Sequence, residues 1–449
     1  MSTITTIKKG LDIKLVGEAE KTITEVLAKR IALKPTDFTG VFPKLLVKEG
    51  DKVKAGTPIF FDKYRDNIVF TSPVSGEVSE IKRGAKRKLL EIIITADSKS
   101  ESLDFGVADP TKLNKESVTE KLLKSGLWSM IKQRPYSVIA NPEAQPKAIF
   151  ISGFDNAPLG PDYDFILHGK GEAFQAGLDA LTKLTEGKVN VNIHSDLTKT
   201  KVLLNSKNVQ VNEFKGKYPS GMVGPQIAAL NPINKGEVVW VVNPQDVINI
   251  GQLFLTGKVC SEKIIAITGS EVLKPRYIKT SSGVCLHDIL QDNISDVEKR
   301  FVSGNPLTGS QVELTGFLGA YDHQITVLPE GTDQRFLGWI MPNTDQFSYY
   351  KSMFSWLTPN KKYKLDTNMK GGERAFVVTG KFEEVFPFDI YPMQLIKAVM
   401  AEDIDMMEQL GIYEVEAEDF ALLEFISTSK IEIQSIIHDG LEFLRKEMS

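Results

Sequence analysis

Between positions 43 and 94 the apolar residues occur in short runs, and these runs are separated by residues typical of turns. Gly50-Asp51 and Gly56 mark turns, since glycine adopts positive φ without a clash. Pro58 and Pro73 have no N–H to donate to a ladder, so they belong at strand ends or edges. The runs carry β-branched residues, which favour strands: Val53, Ile59, Val74 and Val78. The pattern predicts a compact sandwich of short strands that ends near Ser102, with one more strand from the weak alternation over Ile7–Ile13.

From residue 116 to 256 the pattern changes to strands that alternate with amphipathic helices. Helical spacing covers Glu116–Leu127 and Glu172–Gly187, and Pro244 opens a third helix that reaches about Thr256. The predicted strands are Ala148–Ser152, Val189–Ile193, Val209–Val211 and Val238–Val242. Alternation of this kind is typical of a parallel sheet with helical cover.

The last third of the chain begins with a small mixed unit and ends in helices. Ile264–Thr268 predicts a strand and Leu286–Gln291 a short helix, while 324–378 mixes short strands with aromatic-rich loops. Three apolar stripes follow Pro392, the first of which ends at Gly411, and predict a small helical bundle. The sequence therefore predicts an α/β multidomain protein with divisions at 1–102, 103–260, 261–330, 331–385 and 386–449.

Composition narrows the classes of function. The 449 residues carry a net charge of −4, which gives no electrostatic footprint for nucleic acid. Two cysteines, Cys260 and Cys285, exclude a disulfide scaffold and a cysteine-ligated iron–sulfur cluster, and they favour a reducing cytosol. Five histidines are dispersed without ligand spacing, so no metal site is predicted. We expect no signal peptide and no transmembrane segment.

One lysine in the sandwich is a candidate for covalent modification. The strand pattern resembles the biotinyl/lipoyl-type barrel-sandwich hybrid, whose carrier lysine lies in an Asp-Lys or Met-Lys hairpin, and Asp62-Lys63 lies near that place. The stretch from Lys63 to Phe70 looks like a loop longer than a carrier hairpin, and it holds bulky residues. We therefore predict an unmodified surface lysine and keep the carrier protein as an alternative.

A basic run precedes the last strand of the sandwich. Arg83-Gly84-Ala85-Lys86-Arg87-Lys88 concentrates cations in six residues. It is interpreted as a solvated loop, with contact to an acidic partner or a lipid surface as the alternative.

Six segments, in order, resemble one family across essentially the whole chain: the A subunit of the sodium-translocating NADH:quinone reductase (the NqrA family). They are 7–12, 70–76, 81–87, 125–128, 243–248 and 251–257. The resemblance implies an N-terminal barrel-sandwich hybrid, a Rossmann-like α/β domain, a β-grasp domain and a C-terminal helical bundle. This family looks like a relative of the NADH-oxidising subunit of complex I and of the C subunit of the Rnf complex.

In the complex I relative, a Ser-Gly-Leu is followed by a glycine-rich loop that binds FMN and NADH. Here Ser125-Gly126-Leu127 is followed by Trp128–Tyr136, which contains no glycine, so backbone amides cannot approach phosphate as closely. A second glycine-bearing loop, Tyr218–Gly224, either binds an anion or only connects two elements. The C-terminal part has no cysteine for the clusters that the relatives carry.

The same segment is our candidate functional surface. We predict that Trp128, Lys132, Arg134, Pro135, Tyr136 and Phe38 contact quinone or a partner subunit. Flat apolar groups beside cations are the usual make-up of a ligand pocket, and Arg134 could donate in a fixed fork to a quinone carbonyl. The alternative is that Trp128 and Tyr136 fill an abandoned flavin cavity and that Arg134 pairs with a carboxylate. No catalytic, cofactor-binding or metal residues are predicted.

The resemblance implies a peripheral subunit on the cytoplasmic face of the bacterial inner membrane. Its partners would be the other subunits of the reductase, especially the adjacent membrane subunit, and ubiquinone as substrate. Flavins and the iron–sulfur centre would belong to other subunits, and this chain would act at the quinone-reduction end of a sodium pump driven by NADH oxidation. The alternatives are a flavin-dependent NADH dehydrogenase and a biotinyl or lipoyl carrier.

Overall fold

The computed structural model describes residues 4–332, 336–338, 341 and 343–448. Its first two strands, β1 (Thr5–Ile7) and β2 (Glu20–Glu25), lie outside the sandwich. β1 runs parallel to residues 214–216 of a seven-stranded sheet, and β2 forms the edge of a six-stranded sheet beside residues 276–279. The prediction of a sandwich strand over Ile7–Ile13 is therefore wrong, because the strand present covers Thr5–Ile7 and pairs with the seven-stranded sheet.

The sandwich consists of two small antiparallel sheets. Its strands are β3 (Arg30–Leu33), β4 (Pro43–Leu45), β5 (Lys52–Val53), β6 (Pro58–Asp62), β7 (Arg65–Thr71), β8 (Gly76–Arg83) and β9 (Leu89–Ala96). The sheets have the orders β3-β9-β8-β5 and β4-β6-β7. Alternate residues such as Ile68, Phe70, Val78 and Ile92 are fully buried between them, as period-2 patterning requires.

The expected long loop after Lys63 is wrong. Asp62 pairs with Arg65, so only Lys63 and Tyr64 form the turn, and β7 starts at once. Asp66 and Asn67 look loop-like in the sequence because both are polar, but they occupy outward positions of β7. Lys63 thus lies at the exposed tip of a tight hairpin. Asp62, by contrast, is buried and accepts from Arg65 Nε at 3.0 Å.

The second domain is an α/β unit built on the seven-stranded sheet. It contains α1 (Lys115–Ser125), β10 (Lys132–Arg134), β11 (Val138–Ile139), β12 (Ala148–Ser152), α2 (Tyr163–Ile166), α3 (Gly171–Thr182), β13 (Lys188–His194), α4 (Lys201–Leu204), β14 (Gln210–Gly216), α5 (Val223–Leu230), β15 (Val239–Val241) and α6 (Pro244–Thr256). The order is β1-β14-β13-β12-β15-β10-β11. All pairs are parallel except those of β10 with β15 and β11. The parallel sheet with helical cover is as predicted.

The third unit is a mixed six-stranded sheet. Its elements are β16 (Glu262–Thr268), β17 (Arg276–Ser281), α7 (Leu286–Leu290), β18 (Lys299–Ser303), β19 (Ser310–Val312) and β20 (Gln324–Pro329). The order is β19-β18-β20-β16-β17-β2, so the chain's second strand closes this sheet.

The C-terminal part is helical. It contains α8 (Phe382–Val385), α9 (Pro392–Met400), α10 (Ile404–Gln409), α11 (Ala421–Ile426) and α12 (Ile433–Glu447). The single stripe predicted up to Gly411 is divided between α9 and α10. Within 330–380 the described residues form loops and one 3-10 turn, Phe354–Leu357, and positions 333–335, 339–340 and 342 of the predicted mixed segment lie outside the described residues. No helix in the described part of the chain is both long and apolar enough to span a membrane.

Candidate functional site

The segment that carries the predicted site begins where α1 ends. Gly126 takes φ 80°, and a Cβ there would lie 2.5 Å from Thr71 Oγ1 of the sandwich. Glycine therefore allows the α/β domain and the sandwich to approach closely at this point. Thr71 Oγ1 also donates to the Ser125 carbonyl at 2.8 Å. The 3-10 turn Leu127–Met130 follows and is held at the junction of the two domains.

Trp128 belongs to the core of this junction. Its side chain is fully buried, its Nε1–H donates to the Ala140 carbonyl at 2.8 Å, and its ring meets Trp240 edge-on at 5.4 Å. A buried indole whose N–H is satisfied internally contributes packing and offers no free donor. This placement matches the alternative in which Trp128 fills the interior.

Arg134 is committed to an ion pair with the C-terminal helices. Nη1 donates to Asp419 Oδ2 at 2.9 Å and Nη2 to Glu418 Oε1 at 2.5 Å. Burial lowers the pKa of Arg134, but the carboxylates of Asp419 and Glu418 outweigh it and the pKa rises. The guanidinium therefore stays charged and joins β10 to residues that are distant in sequence, with no exposed group left for a ligand.

The remaining predicted residues divide between two places. Pro135 and half-buried Tyr136 lie at the seam with the C-terminal helices, where the Tyr136 ring meets Tyr413 edge-on at 6.3 Å. Phe38 lies on the opposite side, 4.6 Å from Phe70 and 5.6 Å from Tyr321 between ring centroids. The structure thus does not bring the six residues into one surface.

A small apolar slot of about 80 Å³ lies where the sandwich, the α/β domain and the six-stranded sheet meet. Phe38, Phe70, Leu127 and Met130 supply apolar walls, with Ala32, Leu33, Pro73 and Val259 nearby. This slot contains Phe38 and the turn that holds Trp128. Its walls have the apolar character expected of a pocket for a flat ring.

Four charged residues line the slot: Lys34, Asp37, Asp246 and Lys263. Lys34 Nζ donates to the Phe317 carbonyl at 3.2 Å and lies 3.4 Å from Asp37 Oδ1. Asp37 also accepts from the Ala320 amide at 2.7 Å, and burial raises the pKa of its carboxyl against the opposing charge of Lys34. Lys34 and Asp37 therefore place one ammonium and one carboxyl at the slot, in addition to those of Lys263 and Asp246.

A larger cleft of about 650 Å³ lies at the carboxyl ends of β12 and β15. β13 and β14 extend the sheet from one edge of β12, whereas β15 pairs with the other edge. The sheet order therefore reverses between β12 and β15. Open α/β sheets bind ligands at this kind of switch point. Lys132, the sixth predicted residue, lines the cleft with its Nζ 5.0 Å from the centroid of the Tyr321 ring.

Buried carboxyls dominate the electrostatics of the cleft. Burial raises the pKa of Asp155 to about 6, of Asp246 to about 6 and of Glu416 to about 7. Lys132 and His438 are basic residues that line the cleft. Burial holds the pKa of His323 well below its usual range. A phosphate group would meet carboxylates here instead of a nest of amides, so these residues do not suit FMN or a dinucleotide.

The second glycine-bearing loop is fastened by its own neighbours. The Gly221 amide donates to Asn156 Oδ1 at 2.9 Å, and Ser220 Oγ donates to the Gly216 carbonyl at 3.0 Å. A Cβ at Gly224 would lie 2.1 Å from Asp419 Oδ1. The loop thus approaches a carboxylate, which supports its interpretation as a connection over its interpretation as an anion site.

Sequence reasoning missed several groups at this junction. Lys263 is fully buried on β16, and its Nζ donates to the carbonyls of Ala320 and Asp322, so no local sequence signal could reveal it. Asp246 lines both cavities, and one of its oxygens is buried without a partner. Its position just after the predicted strand Val238–Val242 was a usable signal. Within the described residues, no three histidine, cysteine or acidic side chains are arranged to hold a metal ion.

Comparison with known proteins gives a consistent family. Family models match in three places: the NqrA N-terminal barrel-sandwich hybrid domain at 5–97, the NqrA second alpha/beta domain at 113–259, and a model described as the NQRA C-terminal domain at 264–313. The A subunit of Na(+)-translocating NADH-quinone reductase from Yersinia pestis bv. Antiqua is 36% identical over 98% of this chain and 99% of its own length. That of Photorhabdus laumondii is 37% identical with the same coverage. A chain of an NAD+-reducing [NiFe]-hydrogenase aligns with 12% identity and a TM-score of 0.39, covering 75% of this chain and 62% of its own.

Proposed function

The chain belongs to the family of the A subunit of Na(+)-translocating NADH-quinone reductase, and on that premise we propose that it is a peripheral component of such an enzyme, placed at the quinone-reduction end. The observation that carries the proposal is the apolar slot that contains Phe38 and the turn Leu127–Met130. In this account the protein lies at the cytoplasmic face of the bacterial inner membrane. It helps to position ubiquinone while the complex exports sodium.

The slot has the features that a quinone headgroup needs. Its ring would pack against Phe38 and Met130, since flat apolar contact supplies most of the binding free energy of such ligands. One carbonyl oxygen would accept from Lys34 Nζ, since Lys34 lines the slot and its Nζ already donates to the Phe317 carbonyl. Of the six residues predicted from the sequence, we retain Phe38 as the ring contact. In this proposal Trp128 fixes the turn Leu127–Met130 from beneath the slot, and Arg134 contributes only by holding the C-terminal helices through its ion pairs.

The partner surface is proposed on the loops before the C-terminal helices. Phe354, Trp356 and Leu357 lie on one 3-10 turn with 43%, 51% and 59% of their surfaces exposed. Large apolar groups that cluster in solvent mark interaction sites. We assign this turn to contact with the adjacent membrane subunit, because membrane subunits present apolar elements to their peripheral partners.

We also propose that this protein carries no redox centre. The cleft at the end of β12 and β15 is lined by carboxyls where a flavin phosphate would need amides and cations. The two cysteines fall short of the four thiolates that common iron–sulfur clusters require. The purified chain should therefore be colourless and show no fluorescence change with NADH. The Rossmann-like, β-grasp and helical-bundle assignments, and the five domain divisions, belong to the same proposal.

The test is quinone kinetics in the assembled enzyme. Phe38→Leu removes the flat ring contact, and Lys34→Met removes the donor while keeping the side chain's apolar stem. Both variants should raise the apparent KM for a short-chain quinone several-fold and leave NADH oxidation by an artificial electron acceptor unchanged. Phe386→Leu is the control, since Phe386 is equally buried but lies in the C-terminal core. Unchanged quinone kinetics in both slot variants, with the protein retained in the complex, would overturn the proposal.

A further inference from the structure

The hairpin of β8 and β9 continues past the strands that pair with it, while Leu89 on it stays buried in the core. β9 pairs with β3 only at residues 92–95, and β8 pairs with β5 only at residues 76–77. Among the residues that the structure describes, no third strand pairs with the part of the hairpin between residues 80 and 91. We call this two-stranded extension, residues 80–91, the basic arm.

Its tip is a defined turn that points cations outward. The Gly84 amide donates to the Lys88 carbonyl at 2.8 Å, and the Arg87 amide donates to the Gly84 carbonyl at 3.2 Å. Lys86 and Arg87 have φ of 52° and 62°, in the left-handed region that costs non-glycine residues free energy. Arg83, Lys86, Arg87 and Lys88 are all exposed.

These four cations form no ion pair within the described chain. Lys82, at the base of the tip, pairs with Glu91 at 3.0 Å. For Arg83, Lys86, Arg87 and Lys88, no carboxylate of the described chain lies within ion-pair distance. The tip is thus strongly positive on a chain whose net charge is −4. Like charges on a two-stranded ribbon, which is marginal by itself, do not stabilise the fold.

The chemistry of the tip selects among anionic partners. Ala85 is the only apolar side chain exposed between residues 82 and 88, so the tip lacks the aromatic or aliphatic anchors of a protein–protein hot spot. A surface of phosphate headgroups needs no such anchor, because it attracts clustered cations through charge alone and accepts the fork of arginine in two hydrogen bonds. We propose that the basic arm binds the headgroups of anionic phospholipids and so holds this chain against a membrane surface.

The expected effect is large enough to measure. Each basic residue near an anionic bilayer raises partitioning about fivefold, so three neutralisations should lower it by about a hundredfold at low salt. The effect should shrink as salt screens the charges. The full-length chain is mixed with vesicles of phosphatidylcholine, with or without phosphatidylglycerol, and the bound fraction is measured by sedimentation.

A matched variant distinguishes the effect of where the charges lie from the effect of the chain's net charge. The triple variant K86Q/R87Q/K88Q removes three charges from the arm, and K201Q/K207Q/K217Q removes three from exposed, unpaired lysines of the α/β domain within the described chain. Wild-type protein and the second variant should prefer anionic vesicles, and the arm variant should not. Equal losses in both variants, wild-type binding by the arm variant, or no preference of the wild type for anionic vesicles would each overturn the proposal. Thermal midpoints within a degree or so of one another would show that the ribbon remains folded.

Discussion

Removal of Arg134 should weaken the attachment of the C-terminal helices to the α/β sheet. The side chains of Arg134 and Asp419 are 5% and 0% exposed, whereas that of Glu418 is 40% exposed. Arg134→Met would leave the Asp419 carboxylate buried with only the Glu416 amide as donor, at 2.9 Å. Loss of one partner from a buried pair costs about 3–5 kcal/mol of unfolding free energy. Glu418→Gln should cost at most about 1 kcal/mol, because that partner is partly solvated.

The assay is urea unfolding of the purified chain, with limited proteolysis to locate the loosened segment. Cleavage should appear first in the C-terminal helices of the Arg134 variant. Substitution of both partners, Arg134→Met with Asp419→Leu, should recover part of the loss, since it leaves no buried charge. A cost for Arg134→Met that is no larger than that for Glu418→Gln would refute the reasoning.

pH provides a second check on the same pair. Burial raises the pKa of Asp419, and Arg134 opposes that rise. Without the guanidinium the folded-state pKa moves further above the unfolded value, so the folded variant keeps its proton to a higher pH. Stability of the variant is then lost as pH increases from the unfolded pKa through the folded one. The deficit relative to wild type should be smaller at pH 5 than at pH 8, and an equal deficit at both values would contradict this assignment.

Three further predictions concern separate parts of the chain. Gly224→Ala should destabilise the protein, because its Cβ would lie 2.1 Å from Asp419 Oδ1, although alanine favours helices over glycine by about 1 kcal/mol. Gly171→Ala is the control in thermal melts and should be neutral or stabilising, since its Cβ would meet nothing closer than 3.8 Å. Trp356→Ser with Leu357→Ser should reduce co-purification with the membrane subunits and leave the melting midpoint unchanged. The control Leu27→Ser, at a residue that is 84% exposed, should change neither the co-purification nor the melting midpoint. Intact-mass spectrometry should give the unmodified 49.9 kDa chain, since the buried Asp62 is bound to Arg65 and is not presented beside Lys63; a biotinyl or lipoyl increment on Lys63 would contradict this.

Elements with strong local signals were predictable. The helix predicted from Pro244 to about Thr256 has those bounds, because Pro244 at its first turn and Gly257 at its end both act locally. β12 was likewise predicted at its observed bounds, Ala148–Ser152. Short β-branched runs separated by turn residues also identified the sandwich. Its hairpin at Lys63 was misjudged because outward polar residues of a half-buried strand resemble a loop.

Contacts between distant parts of the chain were not predictable. β1 and β2 pair with strands that come about two hundred and more residues later, and nothing in their short, weakly alternating sequences specifies those partners. The pairing of Arg134 with Asp419 could not be predicted either, because the two residues are 285 positions apart in the sequence. The slot requires residues from three domains, so the sequence indicated Phe38 and Trp128–Tyr136 but not Lys34 or Asp37.

Photoaffinity labelling with a reactive ubiquinone analogue in the assembled, turning-over enzyme would show whether quinone contacts this chain. We expect labelled peptides of this chain that contain residues 34–38 or 127–130, with label reduced by excess ubiquinone and by Phe38→Leu. Label confined to other subunits, or label on this chain that neither competitor nor substitution reduces, would contradict a role for this protein at the quinone-reduction end.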